Sequence, residues 1–181
     1  MKHKSFSLAS LFCLVALTLT WAQQPSAQEK SQRPSPPGTA DCTINGKKVT
    51  INYSRPSMKG RKIIGGLVPY GQVWRTGANE ATTLTSAVDL NIGGAKVPAG
   101  TYTLYTLPAE GTWKLIINKQ TGQWGTEYNQ DQDLARVDMT KTALAVPVEQ
   151  FTISLDQSGN DRADLVMEWE KTRVSVPVKA Q

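Results

Sequence analysis

From Cys42 onward, apolar and polar residues alternate with a period of two. Val49, Ile51 and Tyr53 interleave with Thr50, Asn52 and Ser54, giving a strand with one apolar face. Asn45-Gly46, just before it, is a strong signal for a two-residue hairpin turn. Leu84, Ser86, Val88, Leu90 and Ile92 share a second face that ends at Gly93-Gly94. Pro98-Ala99-Gly100 turns the chain into a strand over Thr101–Leu107, and Trp113–Asn118 follows. A polar loop, Gly122–Gln132, precedes a weaker strand over Leu134–Met139. Phe151, Ile153 and Leu155 mark a strand over Val148–Leu155, and Asp156–Asp161 reads as a turn. Ala163, Leu165, Met167 and Trp169 face one way, and Val174, Val176 and Val178 close the pattern. Eight or nine short strands between turn signals, with no helical period of useful length, predict an all-β fold. The architecture expected is a single antiparallel β-sandwich or flattened barrel.

Pro56–Thr82 does not fit the pattern. These 27 residues show no strand alternation, and loops beyond about 12–15 residues are uncommon in compact domains. Ile63, Ile64, Leu67, Val68, Tyr70, Val73 and Trp74 predict that the loop is pinned to the sandwich. Its several glycines permit the tight backbone that such pinning requires.

The N-terminus reads as a targeting segment. Lys2, His3 and Lys4 precede an apolar run over Leu8–Trp21, and Thr20-Trp21-Ala22 resembles a peptidase site. The chain therefore divides into a signal peptide at 1–22, a disordered Pro/Ser/Gln tether at 23–40 and the β-domain at 41–181. Export to the periplasm or the exterior is expected, with no membrane span once the signal is removed.

Cleavage after Ala22 removes 22 of the 181 residues and leaves 159, enough for a hydrophobic core. The formal charge falls from +5 to +3 as Lys2 and Lys4 leave. That charge is mild, and no lysine/arginine run points to nucleic acid. Cys42 is the one cysteine left, so no internal disulfide is expected. His3, the one histidine, is lost with the signal, so the mature chain cannot build a Ser-His-Asp or Cys-His site. It also lacks the imidazole ligands of zinc and blue-copper centres. No phosphate or dinucleotide fingerprint appears. Neither a metal nor a cofactor is expected.

The chemistry concentrates in the long loop. Arg55, Lys59, Arg61, Lys62 and Arg75 stand against one carboxylate, Glu80, between Arg55 and Thr82. Arginines clamp carboxylates, phosphates or sulfates through paired hydrogen bonds, Trp74 or Tyr70 can stack on a ring, and Asn79 suits hydroxyls. The alternative is architectural: arginines tie down loop carbonyls, Arg75 pairs with Glu80, and Trp74 is core. Weaker candidates are a calcium-like turn at Asp156–Asp161, the pair Asp131 and Asp133, and an aromatic platform of Tyr102, Tyr105 and Trp113.

Finally, "YSRPSMKGRKIIGGLVPYGQVWRTGANEATTL", together with "VPAGTYTLYTLP", "WKLIINK" and "VEQFTISL", resembles the bacterial domain-of-unknown-function family 2911 over about residues 41–178. The resemblance implies an exported bacterial β-domain and brings no activity with it. It implies that Tyr53, Arg55, Gly60, Arg61, Trp74, Arg75, Gly77, Asn79 and Glu80 belong to the family's signature. The leading functional reading is a non-catalytic module binding a small anionic or carbohydrate-like ligand through Tyr53, Arg55, Arg61, Trp74, Arg75, Asn79 and Glu80. One rival is a His-independent hydrolase or lyase with Glu80 as acid or base and Arg61 and Arg75 stabilising charge. Another is a purely structural envelope protein.

Overall fold

The computed structural model describes residues 26–181; the expected signal peptide lies outside them. A short helix, α1 (Ala27–Ser31), precedes nine strands among the described residues: β1 (Pro37–Ile44), β2 (Lys47–Ser54), β3 (Thr83–Ser86), β4 (Leu90–Ile92), β5 (Ala95–Val97), β6 (Gly100–Leu107), β7 (Trp113–Asn118), β8 (Asp133–Gln157) and β9 (Arg162–Ala180). All pair antiparallel, in the order β1-β2-β3-β6-β7-β8-β9-β4-β5. The sheet folds over on itself without closing into a barrel.

The fold-over happens within β8. Its first part, Asp133–Met139, pairs with β7, and its later part, from Thr140, pairs with β9. The two layers then enclose one core. Ile51, Leu84, Leu104 and Ile117 from the first layer pack with Phe151, Ile153, Leu165 and Met167 from the second. Tyr53 ties the layers together: its hydroxyl donates to the Ile153 carbonyl (3.2 Å) and accepts from the Ile153 N–H (2.9 Å).

The hairpin signal was sound. Ile44 pairs with Lys47, leaving Asn45 (φ 48°) and Gly46 (φ 72°) as a two-residue turn with both φ positive, which only such residues adopt readily. Three details differ from the sequence pattern. The stretch from Leu84 to Ile92 is two strands, because the Ser86 hydroxyl donates to the Val88 carbonyl (2.6 Å) and accepts from the Val88 N–H (3.2 Å), which turns the chain. β3 therefore joins β2 and β6, whereas β4 joins β9. Conversely, the segments over Leu134–Met139 and Val148–Leu155 are one 25-residue strand. The alternation fades between them where β8 changes layers and bulges against β9 between Ala143 and Val148.

The third difference is the tether. Where it is described, the segment expected to be disordered is ordered, with α1 and the first residues of β1 inside it. Composition argued for disorder, but tertiary contacts decide. The Arg55 N–H donates to the Pro36 carbonyl (2.8 Å), Asn79 donates to the Ser35 carbonyl (3.0 Å), and Arg33 meets Glu80.

The long loop is pinned as expected. Ile63, Ile64 and Val68 are buried, whereas Leu67 and Tyr70 stay exposed. Its start runs along β8, where the Met58 N–H donates to Glu149 O (2.9 Å) and the Phe151 N–H to Pro56 O (2.9 Å). Its later part runs along β6, where Trp74 and Thr106 exchange two backbone hydrogen bonds (2.8 and 3.0 Å).

Candidate functional site

The side chains expected at the site divide into two groups. Tyr53, Arg55, Asn79 and Glu80 are engaged in holding the fold. Tyr53 cross-links the layers as described above. Arg55 donates through Nε to the Phe151 carbonyl (3.4 Å) and through Nη2 to Thr152 Oγ1 (3.1 Å), filling acceptors on β8. Asn79 donates to Ser35 O (3.0 Å) and Ser54 Oγ (3.3 Å). Glu80 accepts from Arg33 Nη1 at both oxygens (3.0 Å each) and lies 3.3 Å from Lys30 Nζ. Partial burial opposes ionisation of Glu80, but its own backbone N–H, Arg33 and Lys30 outweigh that and hold the carboxyl below its ordinary range. Glu80 thus latches the N-terminal segment instead of pairing with Arg75.

The second group is Arg61, Trp74 and Arg75. All three line an open concavity of about 450 Å³, whose other walls include Tyr105 of β6, Tyr128 of the loop after β7 and Trp169 of β9. The indoles of Trp74 and Trp169 stack with centroids 5.7 Å apart and planes 20° from parallel, and Phe151 packs edge-on to Trp74 at 5.0 Å. Tyr105 and Tyr128 form a second aromatic pair at 4.9 Å. The site is thus an aromatic bowl carrying two guanidinium groups.

Their hydrogen bonds show what remains free. Arg61 places Nε on Met58 O (3.0 Å) and Nη2 on Ser57 O (2.8 Å). Arg75 makes one bond, from Nε to Gly77 O (3.3 Å), so both of its terminal nitrogens lack a protein partner among the described residues. Neither arginine has an ion-pair partner among those residues. Gly125 sets the position of Arg75: a Cβ there would come within 3.0 Å of Arg75 Cδ and 2.9 Å of the Asn79 carbonyl oxygen. No described carboxylate lines the concavity.

The two tyrosine hydroxyls are already engaged. Tyr105 donates to Glu127 O (3.2 Å) and accepts from Gln123 Nε2 (3.1 Å). Tyr128 donates to Asp133 Oδ2 (2.7 Å) and accepts from Arg136 Nη2 (2.7 Å). Burial first, then the bond to Asp133, pushes the Tyr128 phenol up to about 12.

The weaker candidates resolve into structural roles. Trp113 is core, and Tyr102 donates to Pro98 O (3.0 Å), so Tyr105 alone of that platform reaches the concavity. Around the β8–β9 turn, Asp156 at the end of β8 pairs with Arg173 (3.2 Å) and Asp161 with Arg162 (3.1 Å). Asp133 is held by Arg136, Tyr128 and Asn118. Sequence reasoning did not find Trp169 and Tyr128 as lining residues. Trp169 sits at a strand position whose alternation marks it as core, and Tyr128 lies in a polar loop with no pattern.

No curated protein and no solved structure matches the chain. Residues 35–178 match the family described as protein of unknown function (DUF2911), and the chain belongs to that family.

Proposed function

We propose that this protein is an exported, non-catalytic binding module that holds a small anionic or carbohydrate-like ligand in the concavity between the long loop and the folded sheet. The observation that carries this reading is Arg75: a guanidinium with two unpartnered terminal nitrogens, facing a bowl floored by stacked Trp74 and Trp169. A concave site with aromatic walls and few convergent polar groups is the usual form of a small-molecule site. No comparable observation favours catalysis. Glu80, the loop's one carboxylate, pairs with Lys30 and Arg33 and does not line the concavity with Arg61 and Arg75.

A thermal-shift screen of anions, glycans and peptidoglycan fragments tests the proposal. A ligand at a hundred times its dissociation constant adds about 2.7 kcal/mol, or roughly 5–10 °C at about 2–4 °C per kcal/mol for a chain of this size. Arg75→Ala, which leaves the core intact, should abolish the shift. A hit whose effect survives loss of Arg75 would place the ligand elsewhere and defeat the reading.

A further inference from the structure

We infer that the ligand of this concavity is a ring compound bearing a carboxylate, and that the site rejects its neutral counterpart; the inference rests on the binding reading above. The bowl's charged donors and acceptors are unequal. Arg75 offers two terminal nitrogens and Arg61 one, while the described lining offers no carboxylate. A neutral sugar presents hydroxyls that both donate and accept, so a site built for it needs strong acceptors as well as donors. The phenols of Tyr105 and Tyr128 are committed to protein partners, which leaves the neutral Ser35, Gln72 and Thr126 as the lining's other polar side chains, none of them a charged acceptor. Cationic donors without an opposing acid select an anion.

The same accounting separates carboxylate from phosphate. Phosphate sites gather free backbone N–H groups at glycine-rich turns or helix starts. Here four of the lining amides are already used: the Arg61 N–H donates to Met58 O (3.1 Å), the Leu67 N–H to Lys62 O (3.2 Å), the Trp74 N–H to Thr106 O (2.8 Å) and the Gly125 N–H to Asn79 O (2.9 Å). What remains on Arg75 is the end of a guanidinium fork, whose two parallel N–H bonds match a planar carboxylate. The fork is preorganised by its bond to Gly77 O and by the close approach of Gly125 to its stem. Trp74 and Tyr128, the half-buried aromatics of the walls, then take the face of the ring.

The test titrates the mature chain with benzoate, benzamide, phenyl phosphate, D-glucuronate and D-glucose, read by tryptophan fluorescence and saturation-transfer NMR. Benzoate and glucuronate should bind, with affinity falling as salt rises. Benzamide and glucose should bind at least about tenfold more weakly, as expected for loss of a charge-assisted pair. Arg75→Gln should erase the preference, and Arg75→Lys, which keeps charge but loses the fork, should weaken the acids several-fold. If a variant fails to fold, the acid-to-neutral ratio and its salt dependence in the parent protein still decide. Equal binding of benzamide and benzoate would overturn the carboxylate inference and leave the binding reading intact. Phenyl phosphate binding tenfold tighter than benzoate would overturn the choice of anion. Silence from every compound would end both.

Discussion

Replacing Glu80 by Gln tests whether the N-terminal segment is a strap or a tether. The substitution keeps the shape and removes the charge that Arg33 and Lys30 share. Both pairs are partly exposed, with the Glu80 side chain at 41% and those of Lys30 and Arg33 at 35% and 26%. Solvent screening holds each such pair to about 0.2–1 kcal/mol, so together they contribute roughly 1 kcal/mol. The loss falls on local opening, because Asn79 still holds Ser35 and the Arg55 N–H still holds Pro36. A change of about 1 kcal/mol raises the open population about fivefold. Trypsin should therefore cut after Lys30 about five times faster in Glu80→Gln (Arg33 precedes Pro34 and resists cleavage), while the global melting temperature moves by no more than a few degrees. Acid should mimic the mutation. The folded carboxyl titrates below its ordinary 4.5, so the latch is fully present above that pH and is lost as pH falls through the lower folded value. Hydrogen exchange of residues 26–36, corrected for intrinsic rate, should rise between pH 5 and 3 more in the parent than in the mutant, where only the Glu29 cap of α1 still titrates. Equal cleavage rates in the two proteins would refute the latch.

Arg75→Ala should cost less than about 1 kcal/mol in urea unfolding, since one long hydrogen bond is lost and no buried acid is left unpaired; a cost of about 3–5 kcal/mol would reveal a buried ion pair that the structure does not contain. Trp74→Ala should cost about 3 kcal/mol in the same assay, because it unstacks Trp169 and Phe151. Tyr53→Phe should cost about 1–3 kcal/mol by leaving the Ile153 N–H and carbonyl unpaired between the layers; an unchanged denaturation midpoint would show that the bridge is idle. Tyr128 should stay protonated past pH 11 in an ultraviolet titration and lose its late step in Tyr128→Phe. Its folded pKa is raised, so its contribution is complete below about pH 10 and disappears as pH rises to about 12.

Much of the fold was legible because a strand covered on one face must alternate. Val49, Ile51 and Tyr53 are buried as the pattern required, and Asn45-Gly46 turns as its chemistry required. What escaped depended on one side chain or on distance. The Ser86 hydroxyl ends β3 by a local bond that leaves the apolar alternation unbroken, so periodicity could not see it. The order in the N-terminal segment rests on distant partners, Arg55, Asn79 and Glu80, the last 47 positions from Arg33, and composition carries no such term. Of the candidate site, the loop's contribution was legible as chemical density. The share from Trp169 was not, because a strand aromatic looks the same in sequence whether its ring ends in the core or at a cavity wall, and Tyr128 lies in a loop without a pattern.

The crowding of "WRTGANEAT" has a backbone explanation. Thr76 (φ 55°), Gly77 (φ 147°) and Asn79 (φ 59°) all lie at positive φ within four residues. A β-branched residue there is a strained outlier, costing on the order of 1–3 kcal/mol. The strain is held in place from several sides. The Thr76 hydroxyl donates to Trp74 O and meets Thr106 Oγ1 (3.2 Å each), and the Thr82 hydroxyl donates to Thr76 O (2.7 Å). Gly77 passes so close to Ser54 that a Cβ would sit 2.9 Å from its carbonyl oxygen. An ordinary strand would place Arg75 and Glu80 on opposite faces of one ribbon and leave Asn79 beside Arg75. The left-handed turns instead put Arg75 in the concavity, Glu80 on the strap and Asn79 between Ser35 and Ser54. Six residues of chain, Arg75–Glu80, thereby serve a ligand wall and a structural latch, and keep the loop's one carboxylate away from the arginine whose charge the site needs unpaired.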